Sequence, residues 1–216
     1  INGAYDFDGS GDYITIGDDD ALDGMDELTL SAWIYRTTTD TQDAILSKYD
    51  AQNQQRSYAF EVYSDNKLRI MLYTVDGLTD FRTGYVSPNA WHHAAATYNG
   101  SSVSLYLDGV YLGTSARTGA VNTTSEELYI GVTENSGFSV PWNGLIDEVA
   151  IYNRSLSEAE ILQLYQRTWY DHSPQVFLLH PEHAEEIDNS TDTTGNTTLL
   201  LHFDDGFGST TANDSS

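Results

Sequence analysis

Residues 91–115 read WHHAAATYNGSSVSLYLDGVYLGTS, and this stretch decides the fold. Asn99-Gly100 and Asp108-Gly109 stand between β-rich runs and supply the positive φ angles that tight hairpin turns require. Val103, Leu105 and Leu107 face one way, and Ser104 and Tyr106 face the other. The stretch is therefore a three-strand antiparallel meander. Further upstream, Leu28, Leu30, Ala32 and Ile34 alternate with Thr29, Ser31, Trp33 and Tyr35, again at the period of a strand. Tyr58–Val62 and Lys67–Tyr73 form a similar pair around Ser64-Asp65-Asn66. From Tyr5 to about Ile151 strand follows strand.

One helix is expected downstream. Ser157 caps it, Glu160 completes a capping box, and Leu156 staples onto Ile161. Ile161, Leu164 and Tyr165 give the single apolar stripe of a helix lying on a sandwich. The predicted fold is all-β: an antiparallel jelly-roll β-sandwich with one short C-terminal helix and an extended C-terminal tail carrying a strand.

Composition narrows the function classes. With 216 residues, 39% of them apolar, the chain can bury one sizeable core without disulfides, so the absence of cysteine does not argue for a reducing compartment. It does remove thiolate metal sites and cysteine nucleophiles. Nine Lys and Arg against 33 Asp and Glu leave a net charge of −24, which repels nucleic acid and anionic membranes. No apolar run is long enough to span a bilayer. The chain opens on Ile1 rather than Met, as expected of a processed protein or a fragment of a longer one. Six Asn-x-Ser/Thr sequons, at Asn99, Asn122, Asn153, Asn189, Asn196 and Asn213, point to an extracellular or cell-surface location and to glycosylation.

The composition changes after Tyr170, where Lys and Arg stop and four of the six His residues lie. Two apolar islands, 176–179 and 199–203, are each long enough for one strand and too short for a domain, so each must pair with the sandwich or with another chain.

Several segments resemble the laminin-G-like jelly-roll family of the concanavalin A-like lectin/glucanase superfamily. They are Phe7-Asp8-Gly9 with Asp12-Tyr13-Ile14, Leu28–Ile34 around Trp33, Trp91-His92-His93, Leu105–Gly109, and Asn143–Ser157. They fall in the family's order over residues 1 to about 167. The terminal stretch from Leu199 to Ser216 resembles the family's first strand and its following loop, which normally precede the Phe7-Asp8-Gly9 segment. The resemblance implies three parts: a sandwich over 1–168, a polar linker with one short strand over 169–198, and a terminal strand over 199–216. That last strand docks either in cis, as in a circular permutation, or into a neighbouring copy of the chain.

The same resemblance implies a structural Ca2+ near the opening and closing segments, with Asp147 as first ligand, Asp8 next, and Asp204 and Asp214 joining if the terminal strand docks there. A second acidic cluster, Asp18-Asp19-Asp20 with Asp23, Asp26 and Glu27, lacks EF-hand spacing and reads as a solvated loop. His180, Glu182, His183 and Glu186 are a weak zinc set, because Pro181 opposes a helix that would present both His on one face. His92-His93 reads as structural. For glycans, Tyr85, Phe138 and Trp142, with Tyr73 and Phe81, lie in or near loops as stacking surfaces.

Catalytic patterns are missing: Asp147-Glu148 lacks the alternating carboxylates of a glucanase strand, and no nucleophile elbow or phosphate loop occurs. The favoured expectation is a secreted, non-enzymatic, calcium-stabilised structural or adhesive module that assembles head-to-tail through residues 199–216. The alternative is a carbohydrate-binding, lectin-like module of a larger secreted protein. A glycosidase comes third.

Overall fold

In the computed structural model the meander of residues 91–115 forms three antiparallel strands, and the rest of the chain builds two sheets around it. The structure describes residues 4–135, 138–172, 197–201 and 211–213, with side chains described up to residue 167 and outside 134–138. In chain order the first strands are β1 (Tyr5–Asp8), β2 (Tyr13–Ile16), β3 (Leu28–Arg36) and β4 (Asp43–Asp50). There follow β5 (Gln55–Val62), β6 (Lys67–Thr74), β7 (Gly77–Tyr85), β8 (Trp91–Tyr98), β9 (Ser102–Leu107) and β10 (Val110–Ala116). The closing set is β11 (Leu128–Ile130), β12 (Val132–Asn135), β13 (Phe138–Pro141) and β14 (Asn143–Tyr152). Helix α1 (Glu158–His172) comes next, then β15 (Thr197–Leu201) and β16 (Thr211–Asn213).

The first sheet runs β1-β14-β3-β8-β9-β10, with β15 also on β14; the second runs β16-β2-β11-β4-β5-β6-β7, with the β12–β13 hairpin attached at β4. Pairing is antiparallel apart from one parallel bridge between Glu134 and Asp50. The alternation expected of β3 and β9 sorts as predicted. Leu28, Leu30, Ala32, Ile34, Val103, Leu105 and Leu107 join Tyr58, Phe60, Val62, Leu68, Ile70 and Leu72 between the sheets. This continuous apolar layer is the main driving force for folding.

Part of the other face of the first sheet is also covered, because α1 lies across it. Tyr106, Ala95, Ala150 and Tyr152 pack with Leu156, Ile161 and Leu164 in a second cluster. Tyr165 stacks on Trp33 at 5.7 Å between ring centroids, which explains why Trp33 is fully buried although it points away from the core. The helix start is held as the capping box requires. Glu160 Oε2 accepts from Ser157 N at 2.8 Å, and Ser157 Oγ accepts from Glu160 N at 3.3 Å.

The C-terminal strands pair within the chain. β15 lies on β14 with Val149 opposite Leu201 and Ala150 opposite Leu200. It occupies the edge that β1 uses further along, where Tyr5 opposes Ile146 and Asp8 opposes Asn143. β16 pairs with β2 in the second sheet, Ala212 opposite Ile14. The island 176–179 and the His180–Glu186 cluster lie outside the described residues.

Candidate functional site

α1 covers part of the outer face of the first sheet, and charged and aromatic side chains gather on the outer face of the second. Alternation along β5, β6 and β7 turns Phe60, Ile70 and Phe81 inward, so their neighbours turn outward in rows set by the register. One row is Glu61, Arg69, Arg82; the next is Ala59, Met71, Asp80; the third brings Tyr73 opposite Leu78. Tyr49 on β4 opposes Arg56 on β5 just past a register shift, and both come beside Tyr73. The β12–β13 hairpin folds beside this face, and Ser47 Oγ donates to Val132 O at 2.9 Å.

Two groups of side chains stand on this face. In one, Arg69 grips Asp80 with both arms of its fork, Nε to Oδ1 at 2.8 Å and Nη2 to Oδ2 at 2.6 Å, while Nη1 donates to Glu61 Oε2 at 3.1 Å. Gln42 Nε2 adds a 3.0 Å bond to the same Glu61 oxygen. Burial pushes the Glu61 carboxyl above its ordinary range against the pull of Arg69, whereas the hydrogen bond from Arg69 holds Asp80 below it. Tyr63 lies under both Arg69 and Arg82, with guanidinium carbons 4.6 and 4.4 Å from its ring centroid.

In the other group, Tyr49 and Tyr73 meet at 5.7 Å between centroids, and the Arg56 guanidinium sits 5.9 and 5.7 Å from the two rings. Burial, then the hydrogen bond with Tyr73, pushes the Tyr49 hydroxyl up to about 12, so it stays a neutral donor at any ordinary pH. Tyr49, Ala59 and Met71 form the buried floor, and Tyr73 rises from it half-buried. The exposed amides of Gln52, Asn53 and Gln54 rim it. Aromatic faces, a planar cation and neutral amides beside a charged Arg–Asp pair can stack a pyranose ring and hydrogen-bond its hydroxyls.

The residues singled out from sequence fall in different places. Tyr73 belongs to this site. Trp142 does not: it is fully buried in the central core, because the chain entering β14 turns its indole between the sheets. Phe81 likewise packs on the core. Tyr85 is 60% exposed but stands at the far end of β7, opposite Lys67. Phe138 opens β13, and its side chain is outside the described residues. Arg56, Arg69, Asp80, Tyr49 and Met71 were not singled out; the signal that could have found them is the run of outward positions in β6 and β7.

The two described calcium candidates stand apart. Asp8 accepts from Ser10 N at 2.7 Å within its own turn. Asp147 is buried at a bulge in β14 and accepts from Glu148 N at 2.8 Å. Asp8 opposes Asn143, four residues before Asp147, which is about 13 Å along a strand. Among the described residues no group of three His, Asp or Glu gathers to hold a metal. Asp204 and Asp214 lie outside the described residues.

The acidic cluster has a structural role in part. Lys48 is completely buried and pairs with Asp18 at 2.6 Å and Asp23 at 3.3 Å. Asp20, Asp26 and Glu27 line an open depression of about 420 Å³ beside Asn153. His93 is buried against Ser31 and Trp33, and His92 bonds Asp108 at 2.8 Å, which fits the structural reading of both.

Among the sequons, Asn99 and Asn153 are exposed, while Asn122 is half-buried with its amide donating to Arg56 O at 3.2 Å. Asn189 and Asn196 lie outside the described residues; Asn213 ends β16, with its side chain undescribed.

No helix of the described residues is long and apolar enough to cross a membrane. A family model described as the concanavalin A-like lectin/glucanases superfamily matches residues 8–162. No curated protein matches the sequence. Among solved structures, the carbohydrate module CBM40 of the Ruminococcus gnavus IT-sialidase, bound to α2,3-sialyllactose, is similar at TM-score 0.62 and 14% identity, over 76% of this chain and 97% of that one. Domain 4 of an extracellular GH43 arabinanase from Geobacillus stearothermophilus, in complex with arabinotriose, has TM-score 0.61 and 21% identity, over 76% of each chain. The heptameric SAP-like pentraxin of Limulus polyphemus has TM-score 0.60 and 17% identity, over 74% of this chain and 80% of that one. At such identities the likeness is one of fold. The family match spans well over half of the chain, and the protein belongs to the concanavalin A-like lectin/glucanases superfamily.

Proposed function

We propose that this chain is a secreted, non-enzymatic carbohydrate-binding module whose glycan lies on the outer face of the second sheet. One observation carries the reading. That face sets the Tyr49–Arg56–Tyr73 stack beside the Arg69–Asp80 pair, while α1 covers part of the matching face of the first sheet. Similar folds bound to sialyllactose and arabinotriose support the same kind of ligand. Tyr73→Ala removes the half-buried ring and is expected to weaken glycan binding at least 10-fold, on the scale of an aromatic hot spot of about 2 kcal/mol. Titration calorimetry on the best ligand from a glycan array measures this. A folded protein that binds no glycan at about 1 mM rejects the reading.

A second reading, homotypic assembly, is favoured by the docking of β15 and β16. They supply edge strands to both sheets across the 24-residue stretch 173–196. A connection of that length sets an effective concentration on the order of millimolar, so an identical segment of another copy competes for the same edges as chain concentration approaches it. Ala150 and Leu200 are register partners, and the chain has no cysteine. Oxidising the double variant Ala150→Cys/Leu200→Cys should give disulfide-linked dimers that increase with concentration. Intrachain bonds alone at every concentration reject exchange.

A further inference from the structure

We infer that the glycan this site takes is acidic, and that Arg56 reads its carboxylate. The inference rests on the carbohydrate reading above and adds the ligand's charge. In a chain of 33 acids and nine cations, a surface cation is expected to have a carboxylate beside it. Among the described residues, ion pairs join Arg36, Lys48, Lys67, Arg69, Arg82 and Arg154 to Asp or Glu, and none joins Arg56, Arg117 or Arg167. Arg117 is instead held by Thr79 Oγ1 and the carbonyls of Asp76 and Leu78, and Arg167 is exposed on α1.

The guanidinium is nevertheless fixed in place. It is held over the faces of Tyr49 and Tyr73, with Nη2 donating to Ala51 O at 3.1 Å. Its Nε is buried without a hydrogen-bond partner. Nε is enclosed, so a carboxylate would meet the fork through its Nη donors, and a half-buried, immobilised guanidinium suits that contact because little side-chain entropy remains to be lost on binding.

Two described acids on this face are engaged elsewhere. Asp50 closes its own turn, accepting from Gln52 N at 2.7 Å and Asn53 N at 3.2 Å. Glu61 holds Arg69 and Gln42. The net charge of −24 opposes an anion at long range, but salt screens that field beyond about 8 Å at physiological ionic strength, so contact chemistry decides. The rim of Gln52, Asn53 and Gln54 is neutral and suits the remaining hydroxyls.

The test compares glycans ending in glucuronic or sialic acid with their counterparts ending in glucose or galactose, by calorimetry on the whole chain. The wild type should prefer the acidic member of each pair. Arg56→Gln should lower acidic affinity by about 10- to 100-fold and leave neutral affinity nearly unchanged. Arg56→Lys keeps the charge but not the fork, and should recover only part of the loss; it also serves if the Gln variant fails to fold. Equal binding of neutral and acidic glycans, or an Arg56→Gln variant with undiminished acidic binding, overturns this inference and leaves the carbohydrate reading standing. A folded wild type that binds neither class overturns both.

Discussion

Gly144→Ala should cost more than about 4 kcal/mol, enough to leave much of the chain unfolded at ambient temperature. Gly144 lies within the first sheet, between Phe7 of β1 and Arg36 of β3, with φ at +129°. A Cβ at this position would run into the carbonyl oxygen of Tyr35 and come within 3.3 Å of Arg36 Cα. Those are backbone atoms of a central strand, so they cannot rotate away as a side-chain tip would. Relief requires β3 and β14 to separate where they hold the sheet together. Gly17→Ala is the control, since nothing lies within 4 Å of a Cβ there. Urea unfolding of both variants measures the difference. If they lie within about 1 kcal/mol of each other, the close approach at Gly144 does not govern stability.

Asp43→Ala should be nearly as damaging, at about 3–5 kcal/mol, because it leaves a buried cation without its counter-charge. Arg36 is completely buried at the end of β3, and its Nε donates to Asp43 Oδ2. Nη1 donates to Asn66 Oδ1 at 2.6 Å and Nη2 to Thr41 O at 2.7 Å. Neutral oxygens can orient the guanidinium but cannot replace the carboxylate's charge. The double variant Arg36→Met/Asp43→Ala should recover part of the loss, since it removes the ion together with its partner. Thermal unfolding of the three proteins decides. A double variant as unstable as the sum of its parts would show that the two groups act independently.

Much of the fold was legible because its signals are local. Asn99-Gly100 and Asp108-Gly109 fix turns, Ser157 and Glu160 fix a helix start, and alternation in β3 and β9 sorts residues between faces. Which outward face lies open was not legible. Trp33 and Tyr106 alternate outward as Arg69 and Met71 do, but the first two are covered by a helix that arrives more than 50 residues later. The site therefore depends on long-range packing. Trp142 shows the same limit from the other side, since an aromatic beside Pro141 reads as a loop residue until the second sheet closes over it. Arg56 is set apart by being held over two aromatic rings with no carboxylate paired to it among the described residues, an arrangement no single sequence displays.

The shared edge of β14 gives this fold a history in time. β1 covers one end of that strand, and β15 covers Val149–Tyr152. During synthesis the first partner is available before β14 emerges, whereas the second emerges 49 residues after Tyr152, at Leu201. At typical translation speeds of about 5–20 residues per second, that delay lasts roughly 2–10 s. For that interval the nascent chain carries a bare apolar rim, Val149-Ala150-Ile151-Tyr152, beside a sheet that can already be formed. On a crowded polysome, neighbouring nascent chains pass through that stage one after another, each with the same rim uncovered.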